Sequence, residues 1–132
     1  MSIKLNDSRQ APLWAYVDIK LEDFAGGAVQ DAIELPGDAI VVGGFVQPIT
    51  TFNAATTATL KVGDALDDDR YTATAADVKA LAVVPLTITG YQMPAMGKLK
   101  VTYASTGAAA TTGKCRLAVS YIRAGRTQST QG

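Results

Sequence analysis

The sequence predicts an all-β fold: an antiparallel sandwich or barrel of about seven or eight short strands, with at most one short helix. Two observations carry this. Apolar and polar residues alternate with period two along much of the chain, as they do in a half-buried strand. Gly, Thr and Pro interrupt every longer run, so helix-period stretches are scarce and the strand candidates fall at roughly even spacing between turn signals. With 132 residues, 48% of them hydrophobic and 18% charged, the chain has the composition of one globular domain. A domain of that size buries roughly two-thirds of its unfolded surface and needs neither disulfide nor metal to fold.

The elements follow in order. In "LWAYVDIKL", Trp14, Tyr16 and Asp18 alternate with Ala15, Val17 and Ile19. "AVQDAIEL" is a weaker strand closed by the Pro36-Gly37 turn signal. "AIVVGGFVQPIT" is apolar enough to be central. Its Gly43-Gly44 suggests a bulge or bend where a strand passes from one sheet to the other, and Pro48, which has no N–H to donate, belongs at an edge. "TATLKVG" and "LTITGYQ" read as further strands. "TAADVKAL" is the helical candidate, with Thr74 as N-cap and Asp77 three residues on. "KLKVTY" and "KCRLAVSYI" alternate cleanly, one face packed and one wet, and "ASTGAAATTG" joins them as a long hairpin connection. The last ten residues, "RAGRTQSTQG", are polar and carry Arg123 and Arg126 with no acid, which suits a tail ordered against a partner.

The chemistry of the chain narrows its function mostly by exclusion. Twelve basic and twelve acidic residues cancel, whereas a dedicated nucleic-acid binder normally carries a basic excess. No apolar run approaches the roughly 20 residues that span a bilayer, and "MSIKLNDSRQAPLW" lacks the core of a signal peptide. The expected setting is therefore a cytoplasm, or a virion assembled in one. With no histidine, the usual activated nucleophiles are absent, and Cys115 on an apolar strand face reads as a small core residue. "GDALDDDRY" groups Asp64, Asp67, Asp68 and Asp69, oxygen ligands of the kind calcium prefers; without EF-hand spacing, a solvated loop tip beside Arg70 is the simpler reading. Glu22, Asp23, Asp31 and Glu34 could supply paired carboxylates for glycoside chemistry, although surface acids explain them as well. Trp14 is either buried under its sheet or the centre of an exposed aromatic patch for sugar or protein.

"ELPGDAIVVGGFVQPITTFNAATTATLKVGD", "DRYTATAADVKA", "LTITGY", "KLKVTY" and "GKCRLAVSYIRAGR", in that order, resemble small structural proteins of tailed bacteriophages. The similarity runs from about Val29 to Arg126 and includes the capsid cement, or decoration, proteins. It implies a jelly-roll-like antiparallel β-sandwich. It also implies a non-enzymatic role on the capsid exterior, in a virion made in the bacterial host cytoplasm. The implied partners are the major capsid protein and the chain itself, as homodimer or homotrimer, with no cofactor, nucleic acid or membrane. On this reading 1–13 is an N-terminal arm, 14–124 the sandwich and 125–132 a polar tail. The expected partner contacts are Trp14, Phe52 and Asn53 of the Thr-rich loop, and Arg123 and Arg126, since arginine is a frequent interface residue. The rival expectations are a carbohydrate-binding or fibre-type module, or another virion part such as a head–tail connector or tail subunit.

Overall fold

The computed structural model describes residues 10–125. Eight strands form two four-stranded antiparallel sheets, packed face to face. They are β1 (Leu13–Lys20), β2 (Val29–Leu35), β3 (Ala39–Thr50), β4 (Thr57–Gly63), β5 (Ala76–Asp77), β6 (Val84–Pro85), β7 (Gly97–Thr106) and β8 (Lys114–Arg123). The first sheet has the order β1-β8-β3-β6 and the second β2-β7-β4-β5. Every connection crosses from one sheet to the other except β4 to β5, and this strand order is that of an eight-stranded jelly roll.

The alternation seen in the sequence is what builds the core. On the first sheet the inward positions are Ile19, Val41, Val46, Cys115, Leu117 and Val119. On the second they are Ile33, Leu35, Leu60, Val62, Leu99 and Val101. Inward positions recur at every second residue, except across the bulge that separates Val41 from Val46 in β3, so each strand gives one face to the shared interior.

Four local readings are corrected. "TAADVKAL" is not helical. Ala76 and Val78 are both buried, Ala76 sits opposite Leu60, and the Val78 N–H donates to the Ala58 carbonyl, so the segment is drawn extended along β4. Burying that alternating pair outweighs the helical propensity of an alanine-rich run. The helical geometry among the described residues is a 3-10 turn, Leu21–Phe24. "LTITGYQ" is not a strand either. Leu86 N–H reaches Gly44, but Thr87 N–H turns away to the Tyr71 carbonyl, and Gly90 has φ +75°. Gly43-Gly44 does mark a bulge, with a register shift between Val41 and Gly43, yet β3 stays in the first sheet throughout. Finally, the face of β8 expected to be wet is partly covered. Ala118 and Ser120 are buried although they point away from the core, because β8 is central and large neighbours close over its small side chains.

Pro48 lies where β3 has run past β6, whose pairing covers Phe45 and Val46, so no neighbouring strand asks for its missing N–H. Tyr71 is 1% exposed and its hydroxyl has no hydrogen-bond partner among the described residues, a cost that burial imposes without return. Burial pushes its phenol up to about 12. Tyr71→Phe keeps the ring and removes the stranded hydroxyl, and is expected to raise stability by up to about 1 kcal/mol in urea denaturation. A loss instead would mean that the hydroxyl is satisfied in solution.

Candidate functional site

The two outer surfaces of the sandwich differ in kind. On the second sheet, Thr57, Thr59, Lys61, Asp31, Lys98, Lys100, Thr102 and Thr106 point outward. This face is hydroxylic and charged, with Asp31 bridging Lys100 at 2.5 Å and Lys98 at 3.4 Å. On the first sheet the outward positions are Trp14 and Tyr16 from β1, Ala118 and Ser120 from β8, Gly43 and Phe45 from β3, and Pro85 from β6. Because the central strand offers only small residues, the flanking aromatics lean over it. Trp14 and Phe45 approach to 6.4 Å between ring centroids. Trp14 remains 60% exposed and Tyr16 68% exposed. Of the two readings open for Trp14, burial under its sheet is not found.

A cross-strand pair of opposite charge borders this apolar surface. Asp18 and Arg116 face each other on β1 and β8 and form a two-pronged contact of 2.7 and 3.3 Å. The hydrogen bond from Arg116 holds the Asp18 carboxyl below its usual range, and the same guanidinium lies 5.4 Å from the Tyr16 ring centroid.

The Thr-rich stretch after β3 is a structural hub. Phe52 is fully buried, tilted against Tyr103 at 5.4 Å. It offers no surface to a partner, and the expectation that it makes contacts is corrected: an aromatic at the base of the loop closes the end of the core. Asn53 is exposed, but its amide is engaged within the chain. Its side-chain oxygen accepts from the Thr111 N–H at 2.7 Å and the Thr112 N–H at 3.1 Å, and its nitrogen donates to the Thr111 hydroxyl at 3.0 Å. The loops before β4 and before β8 are thereby tied together. The adjoining Ala55, Thr56 and Thr57 are exposed, so the small residues of this stretch do present a surface.

Arg123 is committed internally as well. Its Nε donates to the Gly37 carbonyl at 3.2 Å. Its backbone forms a reciprocal pair with the Gln10 amide, N–H to Oε1 at 2.6 Å and carbonyl from Nε2 at 2.8 Å. Arg126 lies outside the described residues.

Two of the acids suspected of chemistry, Asp23 and Asp31, already hold partners. Asp18, Asp23 and Asp31 line a cleft of about 230 Å³ between the edges of β1 and β2. Asp23 accepts from the Lys20 N–H at 2.8 Å. Hydrogen bonding to Lys100 and Arg116 respectively holds Asp31 and Asp18 below the usual carboxylate range, the reverse of what a general acid needs. Cys115 is fully buried, and burial pushes its thiol up to about 12. Neither arrangement activates a nucleophile.

In the acidic loop, Asp64 is a building element. Its carboxylate accepts from the Leu66 and Asp67 N–H groups, both at 3.0 Å, and from Arg70 at 2.6 and 3.3 Å. Arg70 in turn lies over the Tyr91 ring, 3.6 Å from its centroid. Burial pushes Asp64 up, but the Arg70 guanidinium and the two backbone donors outweigh it and leave the carboxyl below 3.8. The Asp67, Asp68 and Asp69 carboxylates lie within 4.8 Å of one another, and hydrogen bonding and repulsion from Asp67 raise Asp69. This matches a solvated acidic tip.

The folded protein binds the Asp64 proton more weakly than the unfolded chain does. The ion pair thus stabilises the fold above pH 3.8, and that contribution is lost as pH falls through the lower folded value. With Asp64 and Arg70 side chains only 11% and 16% exposed, Asp64→Asn is expected to cost about 1–3 kcal/mol at pH 7 and to flatten the acid limb of stability against pH. Urea denaturation between pH 2 and 7 measures both; an unchanged acid limb would show that Asp64 does not carry it.

No family model matches the chain, and no curated protein matches it. Three solved structures share its fold. A chain of the cyanophage Pam1 capsid asymmetric unit superposes with a TM-score of 0.63 at 23% identity, covering 92% of this chain and 90% of that one. A chain of the acid-stable capsid of Helicobacter pylori bacteriophage KHP30 gives 0.63 at 17% identity, covering 86% and 88%. A chain of the capsid of Ralstonia phage GP4 gives 0.63 at 20% identity, covering 96% and 93%. At these identities the likeness is one of fold, extending over nearly the whole of each chain.

Proposed function

We propose that this chain is a non-enzymatic structural protein of a phage virion that binds the outside of the capsid and ties neighbouring capsid subunits together. The observation that carries the reading is the aromatic outer face of the first sheet on a jelly roll whose Asp18, Asp31 and Asp64 carboxylates are engaged within the chain and whose thiol is buried. The three fold neighbours, all from phage capsid structures, support it. Trp14 and Tyr16 are held in place by backbone pairing and lose little freedom on contact. Covering roughly 100 Å² of each ring would contribute on the order of 2–3 kcal/mol per ring. Many copies on one lattice make such modest contacts sufficient.

Trp14 is the anchor in this proposal. The loop surface beside Asn53 and the tail with Arg126 serve as secondary contacts, whereas Arg123 fixes the tail's point of departure. The partner is the major capsid protein. Adding purified protein to shells that lack it, and counting copies by cryo-electron microscopy, tests the proposal. Hundreds of copies per shell are expected; a dozen or so would indicate a connector, and none would end the reading. Trp14→Ala should weaken attachment while leaving the fold intact. Cutting the chain after Ala124 should do the same, and undiminished attachment would remove the tail from the contact. Specific binding of the isolated protein on a glycan array would instead favour a carbohydrate module, which exposed Trp14 and Tyr16 could also serve.

A further inference from the structure

We infer that the free edge of β1 is a pairing site for a second copy of this chain, joined antiparallel about a two-fold axis at Ala15. The inference concerns the free protein and stands whether or not it binds a shell.

Sheet edges with unpaired N–H and C=O groups invite pairing, and folded proteins blunt them with short strands, bulges, prolines or charges. Three of the four edges here are blunted. β5 and β6 are two residues long, and β6 ends in Pro85. β2 has a register shift between Asp31 and Ile33 and carries Asp31 and Glu34 beside Lys98 and Lys100. β1 is different. It runs eight residues in unbroken register with β8, contains no glycine or proline, keeps its charges, Asp18 and Lys20, to its far end, and has no strand on its other side among the described residues.

Exposure then fixes which part of β1 is unmet. Leu13 is 52% exposed, Trp14 60% and Tyr16 68%. Beyond them Val17 is half-buried, Asp18 is paired with Arg116, Ile19 is buried, and the 3-10 turn begins at Leu21. The exposed apolar side chains of β1 are thus Leu13, Trp14 and Tyr16, on both faces of its first half, while the far end exposes the charged Lys20.

This short segment complements itself. Antiparallel pairing centred on Ala15 sets Trp14 opposite Tyr16 of the second copy, twice over, on the outer face. On the inner face it sets Leu13 opposite Val17 of the second copy, and Ala15 opposite its own equivalent. Aromatic and apolar cross-strand pairs of this kind are favourable. Centring on Tyr16 would instead place Trp14 against Asp18, and a one-residue slip would put inward side chains opposite outward ones. The first sheets of the two copies would merge into one of eight strands with a continuous aromatic surface.

Sedimentation of the full chain at concentrations up to about 500 µM should show a dimer. Trp14→Glu and Tyr16→Glu, each verified as folded by circular dichroism, should raise the dimer dissociation constant at least about tenfold. Ala15→Cys should yield a disulfide-linked dimer under mild oxidation, because directly opposed strand residues lie about 4.5–5.5 Å apart between Cα atoms, within disulfide range. Ser105→Cys, exposed on the other sheet, should yield none, and buried Cys115 should stay silent. A monomer throughout, a trimer, a dimer indifferent to both glutamates, or a dimer in which Ala15→Cys does not cross-link would each overturn the inference. A monomer that still decorates shells would leave the virion reading standing; a β1-paired dimer that binds no shell would overturn that reading alone.

Discussion

Gly44→Ala is expected to cost about 3–5 kcal/mol, a large part of the 5–15 kcal/mol that holds a domain of this kind together. A methyl at that position would sit 2.4 Å from the Ala118 carbonyl oxygen, 2.8 Å from Leu86 Cδ1 and 3.0 Å from Val119 Cα. Two of those atoms are backbone of β8, the central strand, and cannot step aside without breaking its ladder to β1 or β3. Gly44 also has φ +144°, which side chains resist. The neighbouring Gly43 supplies the control. Its added methyl would meet only Ser120 Cβ at 3.8 Å, so Gly43→Ala should cost about 1 kcal/mol or less. Paired urea denaturation curves measure the contrast, and similar losses at both positions would show that the strand yields where the packing says it cannot.

Phe52→Ala should be nearly as damaging, at about 3–5 kcal/mol, because it empties a fully enclosed ring site. The site has no means of collapsing inward. Tyr103 flanks the ring, and Gly113 comes so close that a methyl there would lie 2.5 Å from it. Asn53→Ala, one residue on, should cost about 1–2 kcal/mol, since it strands the Thr111 and Thr112 N–H groups on a surface that water can reach. The two variants separate core from contact. A Phe52→Ala protein of unchanged stability that no longer attached to shells would restore the aromatic to the partner surface.

Six strands were legible because each has a core face to alternate against: Leu117 and Val119 in β8, or Leu99 and Val101 in β7, announce themselves at every second position. β5 and β6 are too short for any period to show. The Ala-rich segment at 74–81 looked helical because its decisive contact, Val78 against Ala58, lies 20 positions away. The contact surface was half legible. The even positions of "LWAYVDIK" already put Trp14 and Tyr16 on one side. That this side faces outward depends on pairing with β8, where small Ala118 and Ser120 leave the aromatics nothing deep to sink into. Phe52 was misjudged for the opposite reason: a Thr-Ala-Asn setting looks exposed in sequence, while the partners that enclose the ring, Tyr103 and Gly113, come from the other half of the chain.

The grip of Gln10 on the Arg123 backbone has a practical consequence. Both ends of the described chain leave the body side by side. A short peptide bridge could join them, and the chain could be reopened in the Ala108–Ala109 region, giving a circular permutant with every strand pairing retained. By the same geometry, cargo fused in place of the segments before Gln10 and after Gly125 would leave from the same corner of the molecule.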